Sequence, residues 1–183
     1  MRRSSIMSMT CLACATITMA ASPLDGSADD ARLRWIVQRV GGDLDVEIGR
    51  NDGGYTCGDC VVETALPEGY PAPTPPGAIE VKRYPVIRRA EVTGRQAPDR
   101  GRNSAFFSLF RHIRSRDIAM TSPVEMDYPG WSGDASSAPK SWTMSFVYRT
   151  PDDGPIEQSG NVRVTDTAPV TVISITRWPS CGM

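Results

Sequence analysis

Hydrophobic positions change their spacing several times along the chain. Leu33, Ile36, Val37 and Val40 recur at i, i+3, i+4 and i+7, the spacing of one helical face. Asp29-Asp30 stands where such a helix needs its N-cap and Gly41-Gly42 where it must stop, which predicts a helix through about Val40. Leu44, Val46 and Ile48 then alternate with polar residues, as in a strand, and Asn51-Asp52-Gly53-Gly54 is a turn sequence of the hairpin kind. Pro67, Pro71, Pro73, Pro75 and Pro76 forbid regular helix and central strand from residue 67 to 77, so this stretch reads as a stiff linker.

The pattern is densest from residue 79 onward. Ile79 to Val92 reads as an extended strand interrupted by Pro85, hence an edge strand or a bent one. Asn103 or Ser104 is placed to cap a helix to about Ile113, with Phe106, Phe107, Leu109, Phe110 and Ile113 as its apolar face. Ile118 to Tyr128 reads as extended, and Pro129-Gly130 with Ser132 to Pro139 as loop. Trp142, Met144, Phe146 and Tyr148 alternate with Thr143 and Ser145, the mark of a half-buried strand with a bulky inner face. Asn161 to Thr165 and Val170 to Thr176 are two further β-branched strands, parted by Asp166 to Pro169. Strands outnumber helices, which predicts an α+β domain built on a curved antiparallel sheet; no solenoid-type repeat is present.

Composition narrows the class. The chain has 183 residues, of which 40% are hydrophobic and 22% charged, enough to bury a core in one domain with a leader or extension. With 16 Gly and 15 Pro, it favours turns and short strands over a helical bundle. A net charge of -1 gives no basic field, so no nucleic-acid partner is expected. Residues 1–22 carry no acid, begin with Arg2-Arg3 and end in small residues before Pro23, which reads as a signal peptide for export to a periplasm or the extracellular space; an organelle transit peptide is the alternative. No later stretch reaches the roughly 20 apolar residues of a membrane span. The expected organisation is a leader (1–22), an N-terminal extension with one amphipathic helix (23–66), the proline-rich linker (67–78) and the main domain (79–183). Of the five cysteines, Cys11 and Cys14 would leave with the leader, and Cys57, Cys60 and Cys181 would remain.

Four segments of that domain resemble one family. They are Ile79-Glu80-Val81-Lys82-Arg83-Tyr84-Pro85 running on to Ala90, Ala105 to Ile113, Ile118-Ala119-Met120-Thr121-Ser122-Pro123-Val124, and Trp142 to Val147. The third is similar to the signature IAMTxPV of the SOUL family of haem-binding proteins, and the order and spacing of the others agree with it. The likeness covers about residues 79 to 176. It implies a distorted antiparallel β-barrel flanked by helices and built from two related halves. It further implies non-covalent binding of haem or another tetrapyrrole in an apolar groove, with no established catalysis. The family's module continues for several tens of residues beyond the strand at Val170 to Thr176. Here Arg177 to Met183 follow, so the second half-repeat is expected to be largely missing. The open sheet edge would then favour pairing with another copy.

A tetrapyrrole is flat and apolar with two carboxylates, so its site needs apolar walls and cations at the rim. Phe106, Phe110 and Ile113 offer a wall, with Met120 and Met144 on the flanking strands. Arg111 and Arg114 offer the cations, with Arg83, Arg88 and Arg89 as further candidates. The competing reading makes the aromatics ordinary core and the arginines a solvated face. His112 is the single histidine and so the natural axial ligand for iron. It falls about 120° from the centre of the helix's apolar face, which favours a surface histidine over a ligand. Met120, Met126 and Tyr128 are within the chemistry of iron too, although methionine is commonly a core filler. A Ser-His-Asp triad would have to use His112, and no nucleophile-elbow motif accompanies it, so catalysis is not expected.

Cys57-Gly58-Asp59-Cys60 lacks the further nearby ligands that zinc requires. In an exported protein it reads as a local disulfide, and otherwise as a thiol-disulfide redox pair. Glu125 and Asp127 alternate and share a face, as a general acid or as two solvated carboxylates. The leading expectation is a tetrapyrrole-binding module for carriage, buffering or sensing. The alternatives are a thiol-disulfide redox protein using Cys57 and Cys60, or an interaction domain without cofactor.

Overall fold

The structure, a computed structural model, describes residues 36–51, 54–57, 60–131, 139 and 141–176. The expected leader, the first part of the predicted 29–40 helix, Cys181 and the tail after Thr176 lie outside the described residues. In chain order the elements are β1 (Ile36–Gly42), β2 (Gly49–Asn51), β3 (Gly54–Cys57), β4 (Cys60–Val62), β5 (Ala78–Tyr84), β6 (Ile87–Gly94) and α1 (Pro98–Ser115). β7 (Val124–Asp127), β8 (Trp142–Val147), β9 (Gln158–Ser159), β10 (Val162–Thr167) and β11 (Val170–Ile175) follow. The fold is α+β, with one helix among the described residues. Three antiparallel sheets run in the orders β1-β5-β11, β7-β8-β6-β10-β9 and β2-β3-β4. None of the three closes into the barrel expected from the resemblance.

One kinked ribbon joins the two main sheets. β5 pairs with β11 and β6 pairs with β10 in a single register: Tyr84 lies opposite Val170, and Ile87 opposite Thr167. Continuing that register puts Pro85 opposite Pro169. Neither proline has an N–H to give, so both ladders break at the same level and the ribbon bends there. The bend predicted at Pro85 is therefore present. The edge position is not, because β5 lies between β1 and β11, and β6 between β8 and β10.

Residues 36–42, read as the end of a helix, form strand β1 instead. Pairing with β5 overrides the helical spacing, and Arg39 fixes it by donating from Nε (3.2 Å) and Nη2 (2.8 Å) to Oε1 of Glu80. Leu44, Val46 and Ile48 join no ladder, and Arg39 occupies the carbonyls of the first two. Its Nη1 takes the carbonyl oxygens of Leu44 (3.0 Å) and Val46 (2.7 Å). The turn signal at residues 51–54 does join a hairpin, with Asn51 opposite Gly54 in the β2–β3 pair.

The proline-rich segment has no regular element, as its composition requires, yet it is packed rather than free. Pro67, Pro71 and Pro75 are fully buried, and Leu66, Tyr70 and Ala72 join Tyr55, Ile87 and Val147 in a core cluster. It forms a strap across the three-stranded sheet, held by a hydrogen bond from Lys82 Nζ to the carbonyl of Ala72.

α1 starts five residues before the expected cap. Pro98 opens it and Asp99 sits in the first turn, where a missing N–H costs nothing and an acid suits the helix dipole. Its buried face is Gly101, Ala105, Leu109, His112 and Ile113, and Phe107 is 63% exposed. Small residues set this face, because the helix lies directly on Trp142. A Cβ at Gly101 would come within 2.5 Å of that ring, and one at Gly94 within 2.2 Å. Leu109, Ile113, Trp142, Met144, Phe146 and Val164 make up the centre of the core beneath it. Burying a side chain such as Leu109 contributes about 2–3 kcal/mol.

Candidate functional site

The residues proposed to wall a groove separate into three groups. Ile113 and Met144 are 3% and 6% exposed and belong to the core under α1. Met120 is 40% exposed, in the segment before β7. Phe106 and Phe110 are partly buried on the flank of α1, stacked on each other with centroids 6.2 Å apart and rings 11° from parallel. Phe106 also meets Phe146 edge-on at 5.2 Å and Phe107 at 6.0 Å. Arg114 lies over the Phe110 ring at 5.7 Å, and Arg111 is exposed nearby on the same helix. Met126 and Tyr128 pack on the same core from β7 and the turn after it, and Tyr128 meets Trp131 at 5.6 Å. The flank of α1 is thus an aromatic shelf with the Arg114 guanidinium over it, while Arg111 lines the polar cleft on the next side of the helix.

His112 is not at the surface. It is 5% exposed, and its Nε2 lies 3.0 Å from the Tyr148 hydroxyl. The sequence estimate counted Phe107 as inward, which turned the apparent centre of the face away from His112. Burial, then the Arg116 guanidinium, lowers the His112 pKa against the opposing pull of Glu157. Burial pushes Tyr148 up to about 12, so this pair stays neutral near pH 7. A cleft beside Arg111 and His112 is polar, lined also by Ser108, Ser115, Arg116 and Asn161.

A second feature lies on the face of the five-stranded sheet away from α1. The register aligns Glu91, Ser145 and Glu125 across β6, β8 and β7. Arg89 sits among the carboxylates: its Nη1 is 3.1 Å from Glu125 and 2.9 Å from Asp127, and its Nε is 3.2 Å from Glu91. Tyr70, from the strap, donates its hydroxyl to the other oxygen of Glu125. Burial opposes the charge on Arg89, but Asp127, Glu125 and Glu91 outweigh it and raise its pKa. Burial, reinforced by Glu125, raises both Tyr70 and Tyr84. Tyr70, Tyr84, Arg89, Glu125 and Asp127 border a cleft of about 410 Å³ at the kink of the ribbon. The shared face of Glu125 and Asp127 was legible from their spacing. Tyr70 and Arg89 were not, because a proline-rich segment and a distant strand supply them.

Cys57 ends β3 and Cys60 begins β4, opposite each other in the register. Cys57 is a free, half-buried thiol. The pair lies on a hairpin and not at a helix N-terminus as in thioredoxin-like sites. Among the described residues no group of three His, Cys, Asp or Glu side chains is placed to hold a metal ion, and no helix is long and apolar enough to cross a membrane. Comparison with protein-family models, curated proteins and solved structures finds no match to this chain.

Proposed function

We propose that this chain is an exported SOUL-type binding module that holds haem or a related tetrapyrrole non-covalently, for carriage, buffering or sensing. The observation that carries this reading is the aromatic shelf of α1, with stacked Phe106 and Phe110, exposed Phe107 and Arg114 over Phe110; Arg111, exposed on the same helix, is the second cation of the reading. A flat apolar ring system matches the phenylalanines, and its propionates match the guanidinium groups. His112 is committed to Tyr148 inside the core, so the proposed binding does not use it as an axial ligand. Titrating the protein with haemin tests the reading. A saturable Soret change is expected, weakened on the order of tenfold in Phe107→Asp through loss of one aromatic contact. An equal affinity in the folded variant would reject the shelf as the site.

An interaction role through an open sheet edge is favoured by a separate observation. β11 bears no charge, and it exposes Ile173 (69%) and Ile175 (60%). The other edges of the two main sheets carry protection: β1 has two register shifts, β7 has Glu125 and Asp127, and β9 is two residues long. Sedimentation should show a concentration-dependent dimer that Ile173→Lys abolishes; a monomer at every concentration would remove this reading.

A further inference from the structure

The charged cleft is one end of a longer trough. Tyr70, Tyr84 and Pro123 line both this cleft and a second one of about 300 Å³. Val62, Pro73, Thr74 and Thr176 line both the second and a third of about 360 Å³. The three follow one row of β11, with Val170 and Val172 at the charged end and Ser174 and Thr176 farther along. Seven residues of strand span about 20 Å.

The two ends differ in chemistry. At the kink, two carboxylates (Glu125, Asp127) share one guanidinium group (Arg89), and the neighbouring Glu91 is matched by Arg163, leaving a surplus of negative charge. Arg89 is already engaged by all three acids, so an anion would have to displace it from them, whereas a cation offsets the surplus. Asp127 is 47% exposed and is the acid a ligand reaches first. Tyr70 and Tyr84 meet edge-to-face at 4.7 Å beside these acids, and aromatic rings next to carboxylates suit an organic ammonium group. Away from the kink the lining turns to Val62, Leu66, Pro71 and Pro73.

We propose that this trough binds an elongated amphiphile with a cationic amine head, the head at Asp127 and Glu125 and the chain along the seam between β11 and the proline strap. The site lies on the opposite side of the five-stranded sheet from the aromatic shelf, so it is independent of tetrapyrrole binding.

Calorimetric titration of the full chain with butyl-, octyl- and dodecylammonium below their micellar concentrations tests it. Binding should be saturable at one site and tighten on the order of threefold per added methylene from butyl to octyl. Asp127→Asn should weaken octylammonium binding about fivefold and leave the haemin titration unchanged. Val172→Glu, on an edge strand, should weaken the long-chain amines far more than butylammonium. Equal binding of octyl sulfate, an affinity indifferent to chain length, or an Asp127→Asn variant that binds as the parent does would each overturn the proposal.

Discussion

The two halves of the kinked ribbon bury opposite kinds of residue. In the β6–β10 half, Ala90, Val92, Val162 and Val164 point under α1 and are buried, while Arg89, Glu91 and Arg163 lie on the other face. In the β5–β11 half, Glu80 and Lys82 are buried at 1% and 0%, while Ile173 and Ile175 stay exposed. Ile79 and Val81, on the same face as those isoleucines, are only half-buried. The same ribbon is therefore apolar-inward where a helix covers it and charge-inward where the strap covers it. The strap explains the second case, because a segment without regular ladders has carbonyls to satisfy. Lys82 donates to that of Ala72, and Glu80 neutralises Lys82 at 3.1 Å with Arg39 on its other oxygen. Burial lowers the Lys82 pKa, while Arg39 and Lys82 overcome the burial of Glu80 and keep its pKa low.

The sharpest way to break this comparison is to remove one member of the buried pair. Lys82→Met should cost about 3–5 kcal/mol in chemical denaturation, since it strands Glu80 beside Arg39 and leaves the Ala72 carbonyl unmet. A double variant, Glu80→Leu with Lys82→Met, should recover part of that loss; full loss in the double variant would show that the charges themselves are required. On the helix side, Leu109→Ala should cost about 3 kcal/mol, the usual range for a cavity in a dry core.

A smaller effect depends on pH. The folded pKa of His112 is below that of an unfolded histidine, about 6.5, so the folded state binds fewer protons in that window. Its contribution is complete above about pH 6.5 and is lost as pH falls through the lowered folded value. The Tm should fall on acidification from about pH 7 to pH 5, and His112→Gln, which keeps a partner for Tyr148, should flatten that dependence. Ile173→Lys lies at the other extreme. On the exposed face of the single chain it should change stability by less than about 0.5 kcal/mol at concentrations too low for pairing, and a larger loss there would mean that the chain itself covers this face.

Much of the helix-covered half was legible in the sequence. The alternation of Trp142, Met144, Phe146 and Tyr148 predicts a strand with its bulky side inward, and all four are buried. The strand at residues 161–165 was likewise marked by its β-branched run, and so, in the other half, was that at 170–176. The other half was hidden because its determinants are long-range. Helical spacing at Ile36 and Val40 cannot reveal a strand stabilised by Arg39 reaching across 41 residues to Glu80. A run of prolines shows only that regular structure is absent, not that the segment is packed. At the candidate site the legible part was the identity of the aromatics on α1. The depth of His112 was not, because it depends on Gly101 and Ala105 bringing that side of the helix onto Trp142.

The central functional claim is that a tetrapyrrole is held by the aromatic shelf and its arginines without His112. The most direct measurement is the absorbance spectrum of the parent and of His112→Gln during haemin titration, with folding checked by circular dichroism. The account predicts a saturable Soret band of the same position and affinity in both proteins. No saturable band in the folded parent, or a band that disappears in folded His112→Gln, would contradict it.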